Sequence, residues 1–290
     1  MLNKLNEILA KSSEITINNK SKIVIMSDCH RGSGGVLDNY LKNKLIHERA
    51  LKYYYKKGYT YIELGDGDEL WEVDDYKQII KEYINIFRII KKFHQKKRLI
   101  MIYGNHDINK RDINMMNSTF STYYNSEKNK EEKLLFDLKV EESIVLRYKK
   151  YKLLLIHGHQ IDFLSGKLIY LAKFLVRNFW RVLERRIIKD PTDAMKNYPA
   201  KNKQELKLKK WSLDNNILLI AGHTHHPIFP KKSESRYFNS GSCIHPNGIS
   251  CLEIENGCIS LVKWIYSLKK KSITIDKVIV ENKELLSSYF

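Results

Sequence analysis

Five short clusters hold most of the residues in this sequence that could do chemistry. They are SDCHRG with Asp28 and His30, GDGDELWE with Asp66, GNHD with Asn105, His106 and Asp107, IHGH with His157, and AGHTHH with His223 and His225. Each follows directly on an apolar run. Pooled, they offer carboxylates, an amide oxygen and imidazoles, and no thiolate. That donor set suits manganese, iron or zinc, and excludes a calcium loop or a cysteine-type structural zinc site. Taken singly, each is weak, because a lone histidine is usually structural and a lone GD or GN is usually a turn. Five in order, each after a strand-like run, are not weak.

The apolar runs must bring these clusters together. SKIVIMSD (21–28) reads as a buried strand, residues 36–57 as a helix ended by Gly58, and GYTYIELGD as the next strand. Residues 74–94 read as a second helix and KRLIMIYGNHD as a third strand. This β-α-β-α-β order implies parallel strands joined by crossover helices, with ligands gathered at the carboxyl ends of the strands. Side chains at i and i+2 on a strand share a face, so Asp28 with His30, and His223 with His225, are expected to point the same way.

Beyond residue 107 the pattern changes. Residues 109–131 read as a loop or short helices, and residues 134–157 as strands turning at RYKKYK. Residues 161–212 read as two helices interrupted near Pro191. Strands resume at NNILLIAGH, SRYFNSGS, GISCLEIENG and CISLVKWIYSL, followed by a terminal strand and a loose tail.

Composition bounds the rest. The chain has 290 residues, 43% hydrophobic and 29% charged, which is enough for one large domain over 1–290 carrying an insertion at about 161–212. Cys29, Cys243, Cys251 and Cys258 form no CxxC pair and are expected to be reduced thiols. The polar start LNKLNEILAK has no apolar leader, and no run is long enough to span a membrane, so a cytoplasmic location is expected. The net charge of +18 favours an anionic partner without choosing one. Neither a nucleic-acid recognition motif nor a separate binding module is evident, so nucleic acid is not the expected partner.

The ordered set D-x-H, GD, GNH[D/E], H and GHxH resembles the calcineurin-like metallophosphoesterase superfamily from about residue 22 to 265. The resemblance implies a two-sheet α/β (αββα) sandwich with a helical insertion, and two divalent metal ions, with manganese expected and iron or zinc as alternatives. Asp28, His30, Asp66 and His225 would hold one ion, and Asp66, Asn105, His157 and His223 the other, with Asp66 bridging. Two ions roughly 3.5–4 Å apart share and activate a water, whose hydroxide attacks phosphorus. His106 would stabilise the transition state or protonate the leaving oxygen, with Asp107 orienting it. Arg31 and His159 are candidate substrate contacts.

GDGDELW and the N-x-G-S in RYFNSGS are similar to the UDP-2,3-diacylglucosamine pyrophosphatase-like branch, although that branch typically has GNRD and HGD where this chain has GNHD and IHGH. A phosphorylated small molecule or lipid-linked substrate is therefore expected. The alternatives are a cyclic-nucleotide phosphodiesterase or general phosphomonoesterase, then a nuclease or a non-catalytic scaffold. Residues 162–186 set apolar positions at helical spacing among Lys167, Lys173, Arg177 and Arg181. They read either as ordinary packing or as a lid, with contact to an anionic membrane through 161–188.

Overall fold

A computed structural model describes residues 2–73, 75–125, 128–161, 198–269 and 272–290 of the protein. The lid or membrane contact expected of residues 161–188 lies, but for Ile161, outside these residues. The helices are α1 (Leu2–Lys11), α2 (Lys44–Lys56), α3 (Tyr76–Glu82), α4 (Ile84–Gln95), α5 (Ile113–Thr119) and α6 (Tyr198–Asp214). The strands before the insertion are β1 (Ser13–Ile17), β2 (Lys22–Met26), β3 (Thr60–Leu64), β4 (Leu99–Ile102), β5 (Thr122–Asn125), β6 (Lys130–Lys133), β7 (Val140–Glu141), β8 (Ser143–Tyr148) and β9 (Tyr151–Ile156). After it come β10 (Leu218–Ala221), β11 (Tyr237–Asn239), β12 (Ile249–Glu255), β13 (Cys258–Lys269) and β14 (Ser272–Leu285).

Two main sheets form. One runs β1-β8-β9-β10-β11, the other β14-β13-β12-β2-β3-β4-β7, and β5 with β6 makes a separate pair. The strands that lead into the five clusters are parallel: β2 with β3, β3 with β4, and β9 with β10. Mostly apolar side chains cover both faces of these strands, as buried parallel strands require, with Glu63 of β3 a buried acid among them. Ile23, Ile25 and Ile62 from one sheet pack in a single cluster with Leu146, Leu155 and Ile220 from the other. The outer face of the larger sheet packs Val24, Met26 and Tyr61 against Ala50 and Tyr54 of α2 and Phe87 and Phe93 of α4. The smaller sheet packs Val145, Leu154 and Leu219 against Leu5 and Ile8 of α1 and Leu208 and Trp211 of α6. The layers are thus helix, sheet, sheet, helix.

Three expectations need correction. The helix predicted over 36–57 begins only at Lys44, after a 3-10 turn at Leu41–Asn43; Val36, at its expected start, is 93% exposed. The helix predicted over 74–94 is two, broken at Tyr83, whose φ of −110° and ψ of 29° leave the helical region while its ring stays buried. The tail is not loose. Leu286 and Tyr289 are buried in the inter-sheet core, and the Phe290 ring stacks on Tyr151 at 4.3 Å.

Candidate metal centre

All five clusters lie just past the carboxyl ends of β2, β3, β4, β9 and β10. Strand pairing continues into these loops: the Asp28 N–H donates to the Gly65 carbonyl at 3.0 Å, and the His30 N–H to the Asp66 carbonyl at 2.9 Å. The Gly222 N–H donates to the His157 carbonyl in the same way, between the loops after β10 and β9, and the Cys243 N–H donates to the Asp28 carbonyl.

Asp28 and His30 do meet in one donor group, whereas His223 and His225 fall in two, and strand alternation sets neither pair. Asp28, His30, Asp66, His223 and His225 all have left-handed backbones, with φ of 52°, 48°, 50°, 68° and 60°. Such conformations are uncommon for residues with a Cβ and concentrate at functional sites, where the surrounding structure holds them. The flanking glycines follow from the same crowding. A Cβ on Gly104 would come 2.1 Å from Oδ1 of Asp66, and one on Gly65 would strike the His157 ring at 2.4 Å.

Two triads of donor atoms result. Asp28, His30 and His225 form one, and Asp66, His157 and His223 the other, each with its donor atoms within 4.8 Å of one another. Asp66 stands between them, its Oδ2 3.1 Å from Nε2 of His157 and 3.7 Å from Nε2 of His30. Its Oδ1 accepts from the His106 N–H at 2.8 Å. Asp28 Oδ2 accepts from the His223 N–H at 2.9 Å, while its Oδ1 lies 3.2 Å from Nε2 of His225. Asp28 Oδ1, Asn105 Oδ1 and His157 Nε2 are all buried without a hydrogen-bond partner. Groups so buried normally find a partner, and these three are ligand-type atoms.

Electrostatics follow from burial among opposite charges. Burial alone would raise Asp28 and Asp66, but neighbouring imidazoles, chiefly His225 and His157 respectively, hold both carboxyls well below their usual range. Burial opposes protonation of His157, yet Asp66 and Asp28 raise it to about 9.

His106 reaches the cleft beside this cluster, but Asp107 does not orient it. Asp107 accepts from the Gly104 N–H at 2.7 Å, the Gly67 N–H at 3.0 Å and Lys110 Nζ at 2.8 Å, and so fastens the loops after β3 and β4 to each other. The carboxylate on His106 is that of Glu69, with Oε1 2.7 Å from Nδ1. Oε2 of Glu69 lies 2.8 Å from Nδ1 of His30. Trp71 stacks on the His106 ring at 4.1 Å and donates its indole N–H to the Asn105 carbonyl. Burial works against a charged His106, but Glu69 and Asp66 overcome it and raise its pKa. Glu69 and Trp71 were visible as the ELW of GDGDELW; an acid and an indole just past a ligand aspartate were the available signal.

Arg31 and His159 also lie outside the lining of the cleft. Arg31 is fully buried, its guanidinium paired to both oxygens of Glu63 at 2.8 Å and to Asp68 at 2.6 Å, so it braces the loops after β2 and β3. His159 is buried in a 3-10 turn, its ring 5.5 Å from His157, and burial followed by the His157 and His223 charges holds its pKa well below normal. Neither lines the cleft. That cleft, of about 750 Å³, is lined by His30, Asp66, Glu69, His106, His223 and His225, among others. Its remaining wall includes the loop bearing Val36 and Leu37, with Ile244.

Among the described residues no helix is long and apolar enough to cross a membrane. None of the curated proteins compared with the chain matches it. Similar solved structures include Vacuolar Protein Sorting 29 from Cryptosporidium parvum, 13% identical with a TM-score of 0.41 over 90% of this chain and 98% of that one. They also include a predicted phosphoesterase from Streptococcus pneumoniae, 15% identical with a TM-score of 0.36 over 89% and 98%. A third is the cold-active protein-tyrosine phosphatase of a psychrophilic Shewanella species, 12% identical with a TM-score of 0.40 over 85% and 78%. The family model of the calcineurin-like phosphoesterase superfamily domain matches residues 22–256, most of the sequence and every cluster described above, and the chain belongs to that superfamily.

Proposed function

We propose that this chain hydrolyses phosphoester or pyrophosphate bonds with two divalent ions at the triads. Asp28, His30 and His225 would hold one, and His157, His223 and Asn105 the other, with Asp66 shared. The observation that carries this is the pair of facing triads, with Asp66 between them and His106 at the mouth. The residues fit the ions: the buried Asn105 Oδ1 has no hydrogen-bond partner, and the buried Asp28 Oδ1 and His157 Nε2 meet only fellow ligand-type groups, chiefly His225 and Asp66. Divalent ions there would activate a water and offset charge on the phosphoryl oxygens. The protein contributes the rest. Glu69 holds the proton on Nδ1 of His106, Trp71 fixes the ring plane, and the other ring nitrogen is left to donate to the departing oxygen.

For the substrate we infer a phosphorylated molecule with an apolar portion, as in the lipid-linked pyrophosphates of the UDP-2,3-diacylglucosamine pyrophosphatase branch. The support is an apolar stretch of wall, Val36, Leu37 and Ile244, in the same cleft as the ligand-type residues. Cyclic nucleotides and simple phosphomonoesters would leave that wall unused. The test is a manganese-dependent assay on bis-p-nitrophenyl phosphate, phosphomonoesters, cyclic nucleotides and acylated nucleotide-sugar pyrophosphates, beside the His106→Ala variant. Turnover that requires metal and His106 supports the enzyme reading. No turnover on any substrate with metal bound supports a scaffold. The highest kcat/KM on a cyclic nucleotide would overturn the amphiphilic substrate.

A further inference from the structure

Directly behind the ligand loop lies a second donor cluster that the phosphoesterase chemistry does not use. Cys29, between Asp28 and His30 in sequence, belongs to the outer core cluster along with Cys243. His47 of α2 joins them, and one donor atom from each residue lies within 4.8 Å of the others. All three side chains are fully buried. We propose that Cys29, Cys243 and His47 form a binding site for a thiophilic divalent metal ion, chemically distinct from the oxygen- and nitrogen-lined centre in front of it.

Three observations carry this. The first is an orphan atom. The Tyr40 hydroxyl lies 2.7 Å from Nδ1 of His47, while Nε2 is buried and has no hydrogen-bond partner. Leaving such a nitrogen unpaired costs about 1–3 kcal/mol, which two neutral thiols as neighbours do not repay. A hydrogen bond on one imidazole nitrogen is also what fixes the tautomer and ring plane of a metal-binding histidine. The second is charge. Two thiolates and one divalent ion sum to zero, so the loaded site adds no net charge to a buried region. The third is a backbone held in place without any ion. The Asn43 side chain donates to the carbonyls of Cys243 and His245 at 2.8 and 2.9 Å, and the Cys243 N–H donates to the Asp28 carbonyl at 3.1 Å. An ion there ties α2, the loop after β2 and the loop after β11 together, and so braces the backbone that presents Asp28 and His30.

Thiolate coordination has its own optical signature, which keeps this site separable from the dinuclear one. The full chain is produced in cobalt-supplemented medium, kept reduced, and its near-ultraviolet absorption recorded together with cobalt content. The expected result is a thiolate-to-cobalt charge-transfer band in the wild type. The band persists in Asp66→Asn, which disturbs only the front centre, and is lost in Cys243→Ser. No cysteine lies in the front triads, and among the described residues Cys29 and Cys243 are the only cysteines in a metal-competent group. Cobalt bound with no such band in the wild type overturns the proposal, as does a band undiminished in folded Cys243→Ser. Should Cys243→Ser fail to fold, X-ray absorption of the Asp66→Asn protein decides. Sulfur neighbours at about 2.3 Å support the site, and only nitrogen and oxygen neighbours overturn it.

Discussion

The carboxylate of Glu69 lies 2.7 Å from Nδ1 of His106, and its other oxygen lies 2.8 Å from Nδ1 of His30. One acid thus sets the orientation of a ligand-type histidine and of the residue proposed to protonate a leaving group. Removing the His106 ring in His106→Ala should cut turnover by about 100-fold or more while leaving bound metal unchanged. Glu69→Gln should also lower turnover, and by less in the His106→Ala background than in the wild type, because part of its action passes through that ring. Kinetics of both single variants and the double variant check this. Fully additive losses would show that Glu69 acts through His30 alone.

Asp66 offers an oxygen toward both triads, so Asp66→Asn should be the most damaging single change for metal content. The amide keeps the shape and loses the charge that the two proposed ions would share. Elemental analysis should show at least one ion lost per chain, with turnover near zero. Two ions still bound would remove the shared role.

The strands and the five clusters were legible because β2, β3, β4, β9 and β10 are largely apolar runs, and each is followed by its polar residues. What the pattern missed has physical causes. Period-2 alternation was applied to Asp28, His30, His223 and His225, yet these residues lie past the strand ends in left-handed loops, where alternation does not operate. Their convergence comes from backbone bonds between loops, such as that from the Asp28 N–H to the Gly65 carbonyl, which no single segment encodes. The family resemblance implied that Asp107, the next residue, orients His106. The acid that touches the ring comes from another loop, 37 residues earlier. Arg31 was a candidate substrate contact; only the fold reveals Glu63 and Asp68 around it.

Arg31 should therefore matter to stability and not to phosphate affinity. Arg31→Met leaves the buried carboxylates of Glu63 and Asp68 short of a partner, and losing one side of a buried pair costs about 3–5 kcal/mol. Urea denaturation should show that loss, while KM for a small aryl phosphate stays near the wild-type value in the folded fraction. A raised KM at unchanged stability would restore Arg31 to the substrate site.

The same pair gives the acid behaviour of the fold. Burial would raise Glu63, but the Arg31 guanidinium and then Lys110 overcome it, lowering its pKa from 4.5 to about 2. A carboxyl whose folded pKa lies below its unfolded value binds fewer protons when folded, so stability rises with pH across the interval between the two. Its contribution is fully present above about pH 4.5 and is lost as the pH falls toward 2. Glu63→Gln removes the titration while keeping the shape, although Arg31 then lacks one counter-charge. The wild type should exceed Glu63→Gln in stability at pH 7, and the gap should narrow as the pH drops from 5 to 3. Urea midpoints for both proteins at pH 7, 5 and 3 measure it. A gap that stays constant across that window would mean that Glu63 is not ionised in the folded protein, and that Arg31 is balanced by Asp68 alone.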